Sequence, residues 1–181
     1  MRRLSVVVLW LCETLLLGQG IEVNGNFETG DLTGFTLFET PSGHLVSAVE
    51  EFDTNNDGVA TYSAKLRTGQ DGYSSGQQEG GGIFQVVNLP AGDVHLKADI
   101  AAFSSSDNSN GGYFKIFFDG QLMDSYDFGS ITEDTPVHNY LEFNIAGIEA
   151  GAHEIRILVT RTFLTGSVIN YIDNIELTVS E

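Results

Sequence analysis

Val94-His95-Leu96-Lys97-Ala98-Asp99-Ile100-Ala101-Ala102-Phe103 decides how this chain folds. Val94, Leu96, Ala98, Ile100 and Ala102 recur at every second position, while His95, Lys97, Asp99 and Phe103 take the other side. A period of two turns one row to a core and the other to solvent, the signature of a half-buried β-strand. The alternation returns in Leu141, Phe143 and Ile145, with His138, Tyr140, Glu142 and Asn144 opposite. It returns in Ile155, Ile157 and Val159, opposite Glu154, Arg156 and Leu158. A further case is Phe114, Ile116 and Phe118, opposite Tyr113, Lys115 and Phe117.

Extended outward, the pattern predicts strands near 35–40, 44–50, 59–68, 82–89, 93–103, 112–118, 121–128, 137–146, 153–162 and 169–179. Turn formers punctuate them: Asn55-Asn56-Asp57-Gly58, Pro90-Ala91-Gly92, Asp119-Gly120 and Ala150-Gly151. Gly80-Gly81-Gly82 reads as a bend into the next strand rather than a phosphate loop, because no Lys-Ser/Thr follows it. No helical periodicity of useful length follows residue 20, and no repeat suggests a propeller. Short strands at this spacing predict an all-β fold, a two-sheet antiparallel β-sandwich of the jelly-roll type.

The 181 residues suffice for one substantial core. Residues 1–20 read as a signal peptide: Arg2 and Arg3 lead an apolar run from Leu4 to Gly18, interrupted by Glu13, and Gly18-Gln19-Gly20 offers a small-x-small cleavage site. That leaves 21–181 as a single β-sandwich domain, expected to be secreted and not inserted in a membrane. Cys12, the one cysteine, falls within the leader, and Trp10 and Leu11 before it do not make a lipobox. The exported domain therefore has no disulfide to fasten it. With 25 acids against 8 Lys and Arg, the formal charge is −17. Such an acidic protein excludes nucleic acid and anionic membrane surfaces as partners.

Two of those acids stand out. In Tyr171-Ile172-Asp173-Asn174-Ile175-Glu176-Leu177-Thr178-Val179, unbroken alternation puts Asp173 on the core row with Ile175, Leu177 and Val179. A carboxylate there is costly unless it is paired or metal-bound. Glu28 follows Phe27, an apolar anchor in a Gly/Asn-rich turn. With no Lys or Arg nearby in sequence, the pair points to a hard cation, Ca2+, joining the first and last strands. The alternative is that both are exposed edge residues.

The opening Asn24-Gly25-Asn26-Phe27-Glu28-Thr29-Gly30-Asp31-Leu32-Thr33-Gly34-Phe35 and the closing Tyr171–Leu177 resemble one family. It is the jelly-roll, galactose-binding-like type of carbohydrate-binding module found in secreted bacterial proteins. Gly80 to Gly92, Gly111 to Gly120 and Ala150 to Ile155 are similar to its strand-turn segments, so the resemblance spans about 21–180. Phe35 stands where that family usually carries Trp. The resemblance implies a structural Ca2+ held by Glu28 and Asp173, with backbone carbonyls from Thr61–Leu66, Lys65 among them, and from Asn26.

Asp53-Thr54-Asn55-Asn56-Asp57-Gly58 fits the first half of a calcium loop through Asp53, Asn55 and Asp57. The bidentate Glu expected at the twelfth position is Ala64, so the segment reads equally as an Asx-rich hairpin loop. Asp107 to Asn110 is weaker and reads as a turn. For a ligand, Tyr113, Phe117, Tyr140, Lys97, Asp99 and Arg156 could share one sheet face. Aromatic rings, a carboxylate and cations on one face suit a glycan or polysaccharide, and a plain solvated face fits the same pattern. Tyr73 and Tyr126 are loop or edge options.

Catalysis has little support. His44, His95, His138 and His153 lie apart with no HExxH spacing, and there is no G-x-S-x-G elbow. The reading is a secreted, non-catalytic carbohydrate-binding module-like protein with structural calcium. The rival is a structural or adhesive surface, matrix or virion protein, in which the sandwich makes protein contacts and self-associates.

Overall fold

The computed structural model describes residues 23–70, 78–107, 109–163 and 166–180. The leader expected at 1–20 and Tyr73 lie outside the described residues. Twelve strands run β1 (Thr36–Glu39), β2 (Gly43–Phe52), β3 (Thr61–Gln70), β4 (Glu79–Leu89), β5 (Gly92–Ser104), β6 (Ser109–Asn110), β7 (Tyr113–Phe118), β8 (Gln121–Asp127), β9 (Ser130–Ile131), β10 (Val137–Ile148), β11 (Gly151–Arg161) and β12 (Val168–Ser180). No helix occurs among the described residues.

The strands form two five-stranded antiparallel sheets, in the orders β1-β4-β11-β7-β8 and β10-β5-β12-β3-β2, with β6-β9 as a small separate pair. Neighbours are mostly not consecutive in sequence, as the Greek-key connections of a jelly roll require. The inward rows read from the sequence meet between the sheets: Leu96, Ile100, Leu141, Ile116, Phe114 and Ile157 are almost wholly buried. Each such side chain contributes roughly 1.5–3 kcal/mol by leaving water.

The N-terminal segment is sewn onto both sheets. Gln85, inward on β4, accepts the Val23 N–H at 2.8 Å and donates to the Val23 and Gly34 carbonyls at 2.9 and 3.1 Å. Phe27 is fully buried against Phe35, their ring centroids 5.3 Å apart. The Gly25 carbonyl accepts the Ile175 N–H at 2.9 Å, which fastens the opening turn to β12.

That contact sits on a β-bulge, and the bulge corrects one expectation. The pairing of β12 with β5 shifts register between Asp173 and Glu176, and Asn174 adopts φ 47°. One extra residue reverses the alternation. Ile172, Ile175 and Leu177 face the core, so Asp173 lies on the outer row with Tyr171, opposite Asp99. It is nonetheless only 1% exposed.

Candidate functional site

Asp173 is covered by β3 rather than by the core. Its Oδ2 accepts hydroxyl hydrogen bonds from Thr61 at 2.9 Å and Ser63 at 3.3 Å, and its Oδ1 accepts the Asn174 N–H at 2.7 Å. Burial pushes its carboxyl up to about 6 against the pull of those three donors, and the facing Asp99 adds to the rise. Glu28 reaches the same place: its Oε1 accepts the N–H of Tyr62 at 3.0 Å, between the two hydroxyl residues. Asn26 Oδ1 accepts the Glu28 N–H at 3.4 Å. Lys65 stands further along the strand, paired with Ala48 and Tyr171, its ammonium 2.6 Å from Glu50.

Carboxylates, hydroxyls and backbone carbonyls are hard oxygen donors that suit Ca2+. Asp173 has no cationic side chain within ion-pair distance among the described residues. No three His, Cys, Asp or Glu side chains converge among the described residues either. An ion here would take two carboxylates and complete its shell with neutral oxygens.

The 53–58 loop folds on itself. Asp53 accepts the N–H groups of Asp57 and Gly58, each at 3.0 Å, Asn55 accepts that of Asp57 at 3.2 Å, and Asp57 accepts that of Val59 at 2.8 Å. Asn56 at φ 60° and Gly58 at φ 89° complete a chain of Asx turns. The side-chain oxygens named for a cation are bonded to the loop's own amides.

The six residues expected on one ligand face divide between the two outer faces. Lys97, Asp99 and Tyr140 lie on β5 and β10, while Tyr113, Phe117 and Arg156 lie on β7 and β11 of the other sheet. Alternation tells inward from outward but not which sheet a strand joins. Asp99 is buried, with Lys97 at 2.9 Å and Asn174 Nδ2 at 3.0 Å on its two oxygens. That contact, opposed in part by burial, raises the Lys97 pKa, and the ammonium also lies 5.3 Å from the Tyr140 ring centre. This cluster is already bonded within itself.

On the other face, cross-strand pairing lines up Thr36, Phe84, Arg156, Phe117 and Leu122 in one row. The next row runs Phe38, Gly82, Leu158, Lys115 and Ser125. Gly82 is required there, because a Cβ would stand 1.9 Å from the Ile157 carbonyl oxygen. The Arg156 guanidinium lies 4.5 Å from the Phe38 ring centre and 5.2 Å from that of Phe84. Glu154 holds it in a two-point fork at 2.9 and 3.1 Å. Beside this stack opens a groove of about 400 Å³ lined by Phe38, Glu39, Phe117, Glu154, Arg156 and Leu158. Phe38 and Phe84 were missed in the sequence. Outward aromatics on β1 and β4, set against the inward Ile83 and Val87, were the available signal.

No family model matches the chain, and no curated protein matches it in sequence. Solved structures do match in shape. TmCBM61 in complex with β-1,4-galactotriose superposes with a TM-score of 0.52 at 16% identity, over 90% of this chain and 99% of that one. This chain has the jelly-roll fold of the carbohydrate-binding modules. The same fold occurs in the enzymatically active domain of bacteriophage CBA120 tailspike protein 4, with TM-score 0.54 and 15% identity over 89% of this chain. The match spans only 21% of the tailspike. It occurs again in the K1 cleaved adhesin domain of Lys-gingipain from Porphyromonas gingivalis W83, with TM-score 0.53 and 9% identity over 86% of this chain and 96% of that one. A fold shared by a sugar binder, an enzyme and an adhesin leaves function to the site itself.

Proposed function

We propose that this protein is a secreted, non-catalytic glycan-binding domain, with its ligand in the groove beside Phe38, Phe117 and Arg156. The observation that carries the reading is the Phe38–Arg156–Phe84 stack, fixed by Glu154 at the groove wall. Sugar rings present flat C–H patches that pack on aromatic and apolar side chains, and hydroxyls that need planar polar partners. Phe117 and Leu158 supply the apolar surface. Two of the guanidinium N–H groups bond Glu154, which leaves the others to donate to hydroxyls. Glu39 and Glu154 are acceptors for hydroxyl protons. A site already held in its binding geometry loses little entropy on binding.

The structural match to a galactotriose-bound module supports a glycan as the ligand class. Calcium at Glu28 and Asp173 belongs to the same reading, as a fastener of the two chain ends set apart from the groove. When bound, the ion would supply the charge that Asp173 otherwise lacks. The leader-like residues 1–20 support export. A glycan array probed with and without Ca2+ tests the function: binding to one class of polysaccharide, lost in Arg156→Ala, is expected. An array on which nothing binds, or binding indifferent to Arg156, sinks it.

A further inference from the structure

The opposite face of the sandwich carries a second pocket, of about 220 Å³, between β2, β3 and the start of β12. Its polar lining is Lys65, Arg67 and Ser47, and its apolar lining includes Val46, Ala48 and Ile169. The β2–β3 register places Val46 beside Arg67 and Ala48 beside Lys65, so each cation rises next to an apolar neighbour.

The two cations differ in their partners. Lys65 is held at 2.6 Å by Glu50, whose other oxygen accepts the Tyr171 hydroxyl at 2.6 Å. That carboxylate is fully used, and its position opposite Ser63 is four residues from Arg67 along β3. Arg67 forms no ion pair with an acid among the described residues, and its Nε is buried without a hydrogen-bond partner. In a chain of 25 acids and 8 Lys and Arg, a guanidinium left without a carboxylate is unexpected. The buried Nε–H leaves the two Nη groups as the part of the guanidinium that can meet an incoming acceptor.

We infer that this pocket binds the carboxylate of a uronic-acid sugar unit, with Arg67 as its anchor. The two guanidinium Nη groups form a planar fork that matches a carboxylate in two parallel hydrogen bonds. One uncompensated cation suits a single negative charge and not a phosphate dianion. Val46, Ala48 and Ile169 offer apolar surface to one face of a sugar ring. The acidic remainder of the protein repels the ligand only within a Debye length, about 8 Å at physiological salt. The inference takes its ligand class from the glycan-binding reading but stands on a different face and different residues.

Titrating the full chain with sodium glucuronate, glucose and acetate, followed by amide chemical shifts, tests it. Glucuronate is expected to shift the β2 and β3 amides around 46–48 and 65–67 with Kd on the order of millimolar, while glucose and acetate leave them still at that concentration. Arg67→Lys keeps the charge without the fork and should weaken binding by roughly tenfold; Arg67→Gln should remove it. Phe117→Ala should leave it unchanged. Absent shifts, shifts confined to the Phe117 groove, equal binding of acetate, or full binding in Arg67→Gln overturns the inference. Glucuronate bound at Arg67 while an array shows nothing in the groove would sink the groove and keep this pocket. The reverse result would do the opposite.

Discussion

Glu28 and Asp173, from opposite ends of the chain, divide three consecutive residues of β3 between them: Glu28 holds the Tyr62 N–H, and Asp173 holds the hydroxyls of Thr61 and Ser63. Both carboxylates are thus fastened to one short stretch of β3, with no cationic side chain paired to Asp173 among the described residues. A ligand that binds only the folded state stabilises it by about 2.7 kcal/mol at a hundred times its Kd. For a domain of this size that raises Tm by roughly 5–10 °C. Calcium should give this rise, and EDTA should reverse it. Asp173→Asn should abolish the response while keeping the hydroxyl partners. A melting curve indifferent to both calcium and EDTA would refute the calcium site.

The division of aromatic residues between two faces makes the glycan reading sharp. Phe117→Ala and Arg156→Ala should each weaken glycan binding by roughly tenfold or more, the loss expected when a central anchor is truncated. Both side chains lie on the outer face, so the thermal transition should move little. Tyr140, half exposed on the other sheet, should be replaceable by Ala without effect on the same glycan. Calorimetry on the three variants decides. Equal losses from Phe117 and Tyr140 would mean that the ligand is elsewhere.

Sequence periodicity foretold the long strands closely, because each buries a full row of alternating side chains. It did not foretell β6 and β9, since two residues carry no period. It placed Asp173 on the core row because a bulge at Asn174 leaves no mark in the hydrophobic pattern on either side. It grouped Tyr113 with Tyr140 because outwardness is local, whereas sheet membership follows from the crossing connections. Phe38 and Phe84 meet Arg156 only through the β1-β4-β11 order, which nothing in the neighbouring residues encodes.

His153 supplies a pH dependence. Its Nδ1 lies 2.7 Å from Asp119 Oδ2 and its Nε2 lies 2.9 Å from the Glu149 carbonyl, so both ring nitrogens face acceptors. Only the imidazolium donates to both. Its ring stacks on Phe118 at 5.1 Å. The Asp119 contact, with burial opposing and the Glu149 carbonyl assisting, raises the His153 pKa. Asp119 is held below its usual value, since the Glu154 N–H and His153 outweigh its burial. A raised histidine pKa gives stability that is complete below the unfolded value, about 6.5, and is lost as pH rises through the folded value. The Asp119 contribution is present above its unfolded value and fades as pH falls through the depressed folded value. Tm should therefore fall as pH climbs above about 6.5, and His153→Gln should flatten that limb. A profile unchanged by the substitution would remove His153 from the account.

The bulge itself can be tested at Asn174, the left-handed residue at which the register shifts. Asn174 sits at φ 47°, where Asn and Gly are tolerated and a β-branched residue is strained. It also donates to Asp99 from its side chain. Asn174→Gly keeps the conformation and loses that one bond, so it should cost about 1 kcal/mol. Asn174→Val loses the bond and pays the backbone strain as well, adding about 1–3 kcal/mol. If Val forces a regular strand, alternation is restored and Asp173 turns inward against the core. Val should then cost far more than Gly in urea denaturation, and it should erase the calcium response that Gly retains. Protection of the Ile175 amide, bonded to Gly25 in the bulged form, should collapse in Val alone. Equal costs for Val and Gly would show that the left-handed residue at 174 does not hold the bulge.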